Sequence, residues 1–242
     1  MARSLIDVLW RDHPDAPDRG QRGPRSRIAV GDVVDAGIRL ADAEGLAALT
    51  VRRLASVLGV SAMSLYTHVN SRDDLVVLMA DAVNGRAERP SLGRAGWRTR
   101  VRRVAEANLD LLRAHPWLLD VADERTALGP GTIAKYDHEL KAFAPLGLDD
   151  VTTDAALTFV LDFVRAGAQA LRPAPSAGEL AERWPEWSVR LTHYLGDAFP
   201  LAQRVGAAAG EAMGTAHSPS LAWEFGLARV LDGLAALPAR HG

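Results

Sequence analysis

The sequence predicts an all-α protein, and three observations predict this fold class. From about residue 27 onward, apolar residues recur at the i, i+3, i+4 and i+7 spacing of one helix face. No alternating run of β-branched residues bounded by turn residues is long enough to indicate a strand. Serine or threonine precedes several of the apolar runs, and glycine or proline follows many of them, as expected at helix ends.

The first three predicted helices are short and closely spaced. An apolar stripe that stops at Gly45, a natural C-terminal cap, predicts the first helix. Thr50 is the predicted N-cap of a second helix, which closes at Gly59. Ser61 is the predicted N-cap of a third helix that runs through Val69.

A fourth helix connects this group to the rest of the chain. Ser71 and Asp74 have the spacing of a capping box ahead of a further apolar stripe. The proline and glycines of residues 90–96 then predict a hinge. We therefore expect a flexible arm over residues 1–26, a first domain over 27–90 and a second domain over 91–242.

The second domain is also expected to be helical throughout. Helices are predicted at 97–114, 116–121, 132–146, 151–171, from the capping box of Ser176 and Glu179 to about Gly196 with a kink at Pro185, and at 219–237. The Ala- and Gly-rich residues 203–216 are expected to form a mobile loop between the last two helices.

The composition excludes several classes of protein. The 242-residue chain has no cysteine, which excludes disulfides, thiolate metal sites and thiol nucleophiles and fits a reducing cytoplasm. No window approaches the roughly 18 apolar residues of a membrane span, so we expect a soluble, cytoplasmic protein with no membrane contact. The formal net charge of −2 neither requires nor excludes a polyanionic partner.

Residues 50–69 have the layout of a helix-turn-helix, with two short helices meeting at Gly59. Leu65 and Val69 are predicted to anchor the second helix to the first. The residues that then face outward on the second helix are small, hydroxylated or aromatic. None of them is an acidic residue, which would repel phosphate.

The outward residues predict three kinds of contact with DNA. Ser61 and Ser64 are predicted to bind base edges. Ala62 and Met63 are predicted to pack on thymine methyl groups. Phosphates are the predicted targets of Tyr66 and His68 together with Arg72. Spacing alone leaves another interpretation open, because helical corners occur in many proteins that never touch DNA. Residues 27–75 carry five arginines against six acidic residues, which counts mildly against DNA binding.

A set of short motifs removes much of this ambiguity. An alanine-rich helix ending in EGL is followed by TVRRLA, LGVS, SLYTHV and SRDDL, in that order. Together these motifs resemble the N-terminal domain of the TetR family of bacterial one-component repressors. The resemblance covers residues 33–83 densely and the C-terminal half only weakly.

The resemblance implies roles for individual residues. Thr50 and Arg52 would approach phosphates, and Tyr66, His68 and Arg72 would clamp the DNA backbone. The residues implied to lie in or near the major groove are Ser61, Ala62, Met63, Ser64 and Thr67. Arg72 stands where the family usually has lysine, which keeps the positive charge.

The C-terminal helices predict a homodimer. The run from Trp223 to Leu234 resembles the terminal helix of the tetracycline-repressor-like subgroup, and its apolar residues form two stripes, of which one can face the core and the other a partner. The helix over 151–171 is similarly apolar. We expect helices 151–171 and 219–237 of two subunits to form a four-helix interface, with burial inside a monomer as the alternative.

An effector-sensing domain needs a cavity lined by apolar and aromatic groups. The candidate ligand contacts are Trp117, Tyr136, His138, Phe159, Phe163, Trp187 and His193, although the pattern at each single position favours a core residue over a ligand contact. We expect no metal site, because no carboxylate stands at ligand spacing from the histidines. We also expect no cofactor: Gly129, Gly131 and Ala134 fit the pattern GxGxxA, but no strand precedes them.

The sequence therefore predicts a ligand-responsive transcriptional repressor rather than an enzyme. It would bind a near-palindromic double-stranded DNA operator as a homodimer, and a small-molecule effector would release it by favouring a state in which the fourth helix has swung. Two alternatives stay open, a helical enzyme with a decorative first domain and a scaffold that binds a protein partner through the helical corner.

Overall fold

Every regular element in the described part of the chain is a helix, which confirms the all-α prediction. The computed structural model describes residues 4–16, 28–172, 177–214 and 218–237. The α-helices are α1 (Leu5–Leu9), α2 (Val30–Glu44), α3 (Val51–Leu58), α4 (Ala62–Leu65), α5 (Arg72–Arg86), α6 (Trp97–Ala114), α7 (Pro130–Leu140), α8 (Asp150–Leu171), α9 (Ala177–Leu195), α10 (Pro200–Met213) and α11 (Pro219–Ala235).

Four 3-10 turns complete the described elements, at Leu46–Ala48, Pro116–Asp120, Glu124–Leu128 and Ala144–Leu146. None of the helices in the described ranges combines the length and apolarity needed to cross a membrane. The chain divides into two packed units, one up to residue 165 and one from 166 to 236.

Side-chain caps begin the helices where the sequence predicts them. The hydroxyl oxygens of Thr50, Ser61 and Ser71 each accept a hydrogen bond from the amide three residues on, at 3.2, 3.2 and 3.0 Å. Ser218 caps α11 in the same way at 3.3 Å. Each cap satisfies an amide that the first helical turn leaves without a partner. The predicted cap at Ser176 lies outside the described residues.

The predicted third helix and the predicted loop over 203–216 both differ from the observed elements. Regular α-helix in the third predicted helix ends at Leu65, and the chain continues to Val69 in tight turns, with His68 N donating to Leu65 O at 2.8 Å. The predicted loop over 203–216 is wrong for residues up to 213, because α10 occupies them. Its alanines have the highest helix propensity of any residue, which outweighs the cost of Gly206 and Gly210.

The N-terminal segment also differs from its prediction as a flexible arm. Leu5–Leu9 forms α1, and Val8 and Leu9 are buried in the core that α2 and α5 share. The indole Nε1 of Trp10 donates to Leu128 O at 2.9 Å. A five-residue helix has little stability alone, so burial of its apolar side chains must supply what the local sequence lacks. Residues 1–3 and 17–27 lie outside the described part of the chain.

One hydrophobic core lies beneath α1 to α5. It contains Val33, Leu54, Leu65 and Met79, each with an exposed fraction of 1% or less. Trp117 and Leu118, from the 3-10 turn after α6, belong to the same core. The core therefore includes residues that the sequence assigns to the second domain.

Helices α5 and α7 cross at a very short distance. A Cβ at Gly85 would lie 3.2 Å from Gly131 Cα, and a Cβ at Gly131 would overlap the main-chain oxygen of Asp81. A Cβ at Gly129 would overlap the Asp81 carboxylate. The glycines of the GxGxxA pattern are therefore needed for helix packing, since any larger residue would force the two helices apart.

The unit from 166 to 236 contains the end of α8 together with α9, α10 and α11. Gly167 of α8 packs against the Trp223 ring of α11, where a Cβ would overlap the ring. A side chain larger than that of glycine would therefore not fit at this point of α8. Helix α10 contacts α9 at Gly210, where a Cβ would lie 3.5 Å from Trp184 Cζ2.

The α5–α7 crossing generates a stability prediction. Gly131→Ala is expected to lower the free energy of unfolding by about 1–3 kcal/mol, because the added methyl group must displace the backbone of α5. Gly31→Ala is the matched control, since a Cβ there meets nothing within 4 Å and lies in helical backbone. Urea unfolding followed by circular dichroism measures both. Equal stability of Gly131→Ala and the parent chain would contradict the packing argument.

Candidate DNA interface and effector cavity

Helices α3 and α4 form a helix-turn-helix around Gly59. Gly59 has φ 65° and ψ 32°, the left-handed conformation that glycine adopts without steric cost. Leu54 and Ala55 of α3 are buried together with Leu65 and Val69. This arrangement confirms the predicted anchoring of the second helix through Leu65 and Val69.

The opposite side of α4 is open to solvent. Met63 is 75% exposed and Tyr66 is 50% exposed. Ser61 and Thr67 are also exposed, while Ala62, Ser64 and His68 are half-buried. The predicted DNA-facing surface is therefore not covered by the rest of the described chain.

Hydroxyl groups at this surface are partly used by the backbone. Thr50 Oγ1 and Ser61 Oγ accept amide hydrogens, so each of these hydroxyls still has its own proton to donate. Thr67 Oγ1 donates to Ser64 O at 2.7 Å and keeps only acceptor capacity. Arg52 is exposed at the first turn of α3, whereas Arg53 forms an ion pair with Glu44 at 2.7 Å.

Arg72 ties the start of α5 to the turn before α3. Its Nε donates to Leu49 O and its NH2 group donates to Leu46 O, both at 2.8 Å. NH1 lies 3.6 Å from the Asp73 carboxylate. The sequence suggests only a phosphate contact for Arg72, and it misses this second role because both carbonyl partners are more than 20 residues away in the chain.

The first turn of α5 is also held by an ion pair. Arg125 NH1 lies 2.8 Å from the Asp74 carboxylate, which is buried, and the same guanidinium binds Asp123. Hydrogen bonds from Arg125 lower the pKa of Asp123. The predicted capping box is half present, because Ser71 accepts the Asp74 amide while the Asp74 carboxylate binds Arg125 and Asn70 instead of the Ser71 amide.

Asp81 of α5 caps the N-terminus of α7. Its Oδ1 accepts from the amide of Thr132 at 2.8 Å, and Asn84 Nδ2 donates to the hydroxyl of Thr132 at 3.0 Å. Burial raises the pKa of Asp81, and hydrogen bonds from the amides of Thr132 and Gly131 partly oppose the increase. A carboxylate at this position also interacts favourably with the α7 dipole.

A cavity of about 250 Å³ lies between α5, α6 and α8, and we call it the α5–α6–α8 cavity. Its walls are mostly aliphatic, with a few polar side chains placed among them. The lining residues are Ala80, Asn84, Asn108, Leu111, Leu112, Leu118, Val121, Thr126, Leu161, Asp162, Val164 and Arg165. This combination of apolar walls and isolated polar groups is typical of small-molecule sites.

The seven residues predicted to contact a ligand do not meet in this cavity. Trp117 is buried in the core, where its Nε1 donates to Asp42 Oδ1 at 2.8 Å. Tyr136 is exposed and donates to Asp154 at 2.7 Å, and His138 Nε2 lies 3.1 Å from Pro90 O. Phe159 is 55% exposed. Phe163 is half-buried, and His193 is exposed.

Trp187 does line a cavity, but a different one. An open cavity of about 360 Å³ on α9 is lined by Trp184, Trp187, Arg190, Leu191 and Tyr194. Within the part of the chain that the structure describes, no group of three or more His, Asp or Glu residues could hold a metal ion.

A buried ion pair supports one polar residue of the α5–α6–α8 cavity. Lys135 Nζ lies 2.7 Å from Glu139 Oε1, and both side chains are largely buried. Burial lowers the pKa of Lys135, and the Glu139 carboxylate partly opposes that effect. Asn108 of α6 donates to the same Oε1 at 2.6 Å.

Sequence reasoning missed the polar residues of this cavity, although one signal was present. Asn108 stands on the apolar stripe of α6, which otherwise consists of Val101, Val104, Ala105 and Leu109. An amide at a core position must have hydrogen-bonding partners, so it marks a buried polar site. Asn84 and Thr126 give no comparable signal, since their neighbourhood arises only when α5 and the turn before α7 pack together.

Family models match most of the chain. Residues 33–79 match the model of bacterial regulatory proteins of the tetR family, and residues 89–237 match the tetracyclin repressor-like C-terminal domain. A relative from Streptomyces coeruleorubidus, the HTH-type transcriptional repressor DrrR1, is 33% identical over 100% of this chain and 88% of its own length.

Solved structures of one Streptomyces coelicolor protein are also similar. Apo ActR superimposes with a TM-score of 0.71 at 28% identity, covering 88% of this chain and 97% of ActR. ActR in complex with actinorhodin gives a TM-score of 0.70 at 28% identity, covering 87% of this chain and 98% of ActR. The likeness to solved structures therefore includes a free and a ligand-bound state of the same protein.

Proposed function

Because the chain belongs to the TetR family of bacterial transcriptional regulators, we propose that it is a ligand-responsive repressor that binds a near-palindromic operator as a homodimer. One observation carries the DNA-binding part of this proposal. Leu65 and Val69 bury one side of the recognition segment, and the other side leaves Met63 and Tyr66 in solvent. A rigid element with one anchored and one open side is what insertion into a major groove requires.

The proposed DNA contacts follow from exposure and donor chemistry. Ser61, Ala62, Met63, Ser64 and Thr67 would meet base edges and thymine methyl groups in the major groove. Thr50, Arg52, Tyr66, His68 and Arg72 would meet phosphates. Arg72 already donates to two carbonyls, so its contribution to phosphate binding comes from its remaining donors and its charge.

The proposed dimer uses residues 151–171 and 219–237. On α11, Trp223, Leu227, Val230 and Leu234 are buried, whereas Leu221 and Phe225 are 57% and 64% exposed. Phe159 on α8 is 55% exposed. Large apolar side chains left in solvent on these helices support a partner surface, because such patches are uncommon on monomers. Two copies of α8 and α11 would then form a four-helix interface.

The proposed domain division separates DNA reading from effector sensing. Residues 27–90 would form the DNA-binding domain and 91–242 the effector and dimerisation domain, with 1–26 as an N-terminal arm. The family models support this division, because one ends at residue 79 and the other begins at 89. The shared core, which includes Trp117, supports mechanical coupling between the two domains.

We propose the α5–α6–α8 cavity as the effector site. Two of its lining residues, Ala80 and Asn84, belong to α5, the helix that follows the recognition segment. An effector that binds a state with α5 displaced more tightly than the DNA-bound state would lower operator affinity by that difference. We favour this cavity over the aromatic and histidine residues predicted from sequence, because those residues are dispersed over the described chain.

Selection of bound sequences from a random duplex pool tests the regulator function. The full chain is expected to enrich a near-palindrome whose half-sites lie about one helical turn, or ~34 Å, apart. An enzyme or a protein-binding scaffold would enrich no sequence. Recovery of a single half-site without symmetry would contradict the homodimer part of the proposal.

Tyr66→Ala is expected to weaken operator binding without loss of the fold. Its hydroxyl is a proposed phosphate donor on an exposed side chain, so the operator Kd should rise about tenfold, the effect of losing one such hydrogen bond. Mobility-shift titration at fixed salt measures the change. Tyr194→Ala, at a tyrosine that is 73% exposed on α9, is the matched control and should leave operator affinity unchanged. Unaltered affinity of Tyr66→Ala would remove it from the interface.

Phe225→Glu is expected to convert the dimer to a monomer of 26.0 kDa, because it would place a charge in the apolar contact. Size-exclusion chromatography with light scattering measures the mass. The control is Leu201→Glu, at a residue of similar exposure on α10, which should stay dimeric. A Phe225→Glu chain that remains a dimer would mean that α11 does not form the interface.

A further inference from the structure

Inside the α5–α6–α8 cavity, the side chain of Asn108 uses both of its donor hydrogens within the protein. Asn108 Nδ2 donates to Val104 O at 2.9 Å and to Glu139 Oε1 at 2.6 Å, which uses both amide hydrogens. Its Oδ1 accepts no hydrogen bond within the described ranges and still has access to solvent. Because Nδ2 points toward Glu139, the oxygen at the other end of the planar amide points away from it.

The orientation of the Asn108 amide is determined by charge. Rotating the amide by half a turn would place Oδ1 against the Glu139 carboxylate, which is buried and bound to Lys135 at 2.7 Å. Two acceptors would repel each other at the 2.6 Å that separates the Asn108 amide from Glu139 Oε1, and both amide hydrogens would lose their partners. The buried pair therefore acts as a support that holds Asn108 with its acceptor directed away from α7.

The neighbouring polar groups also donate to the protein. Thr126 Oγ1 donates its proton to Asp123 O at 2.9 Å, and Asn84 Nδ2 donates to Thr132 Oγ1 at 3.0 Å. Asp162 is exposed and adds a carboxylate at the rim. Arg165, also exposed, directs one terminal nitrogen to the carbonyls of Leu119 and Val121. At Asn108 and Thr126 the interior of the cavity thus offers acceptors between aliphatic walls, while Asn84 keeps one amide hydrogen and the charged groups lie at the solvent side.

We propose that Asn108 is a specificity-determining acceptor in this cavity, and that the site selects compact apolar ring compounds which carry a hydroxyl or N–H donor. The inference rests on the proposed function of the cavity as the effector site. A ligand without a donor would leave Asn108 Oδ1 desolvated and unpaired, which costs binding free energy that apolar contact does not return.

A matched pair of probes tests the assignment. Isothermal titration calorimetry of the full chain with 2-naphthol and 2-methoxynaphthalene compares the same ring system with and without a donor. The naphthol is expected to bind about tenfold more tightly. A purely apolar cavity would give the opposite order, because the methoxy compound buries one more methyl group. Equal affinities, a preference for the methoxy compound, or no binding of either probe by about 1 mM would overturn the proposal.

Two variants test the location and the support. Leu112→Trp fills the cavity and should abolish binding of both probes, and a retained preference for naphthol would put the site elsewhere and overturn the assignment. The double variant Lys135→Met/Glu139→Gln replaces the buried charges with neutral groups, so the Asn108 amide can turn and the preference should fall below about twofold. A preserved tenfold preference in that variant would contradict the supporting role of the pair.

A control for the double variant is present on the same segment. Asp137 and Lys141 form an ion pair with the same four-residue spacing, but both side chains are mostly exposed. Asp137→Asn/Lys141→Met should keep the full preference for naphthol. Operator binding measured separately distinguishes the two proposals, since a chain that binds its operator but shows no preference loses only the Asn108 assignment, and a chain with the preference but no operator loses only the regulator function.

Discussion

The contact between α5 and the start of α7 is the constraint on which the other features depend. Asp81 uses its carboxylate to cap α7, and Gly85 and Gly131 let the two helix backbones meet without intervening side chains. Arg125 holds the other end of α5 by binding Asp74. A helix held in this way at several points cannot rotate or slide freely, so any displacement must break specific polar contacts. Because α5 leaves the recognition segment directly, these contacts set the position of the DNA-facing surface as well as one wall of the cavity.

The recognition segment itself is very short, with a single regular turn of α-helix before it tightens. Such a piece has no stability of its own, and its conformation depends on Leu65 and Val69 in the core and on the Ser61 cap. This dependence explains how an exposed face carrying Met63 and Tyr66 can stay ordered without a partner. The side chains that would meet DNA contribute little to folding, so function and stability are carried by opposite sides of the same segment.

In the proposed effector site, buried polar groups would be the source of selectivity. The Lys135–Glu139 pair costs desolvation and has no obvious advantage over an apolar pair for stability alone. Its effect is to fix which end of the Asn108 amide points away from it. Through Asn108, the same pair connects α7 to α6. Asn84 of α5 also lines the cavity and donates to Thr132 of α7. The proposed ligand site and the helix contacts that hold α5 therefore share side chains, and these shared side chains would couple ligand binding to the position of α5.

The sequence alone determined the features that depend on neighbouring residues. Helical periodicity predicted the all-α fold, the caps at Thr50, Ser61 and Ser71 set helix starts, and the motif order identified the family, because caps and amphipathic faces are properties of a few consecutive turns. Only the tertiary structure decided the rest. It packed α1 and Trp117 into one core, and it gathered Asn84, Asn108 and Thr126 around one cavity. These outcomes depend on which distant surfaces meet, and the energy that selects them comes from burial between segments far apart in the chain, which no local pattern contains.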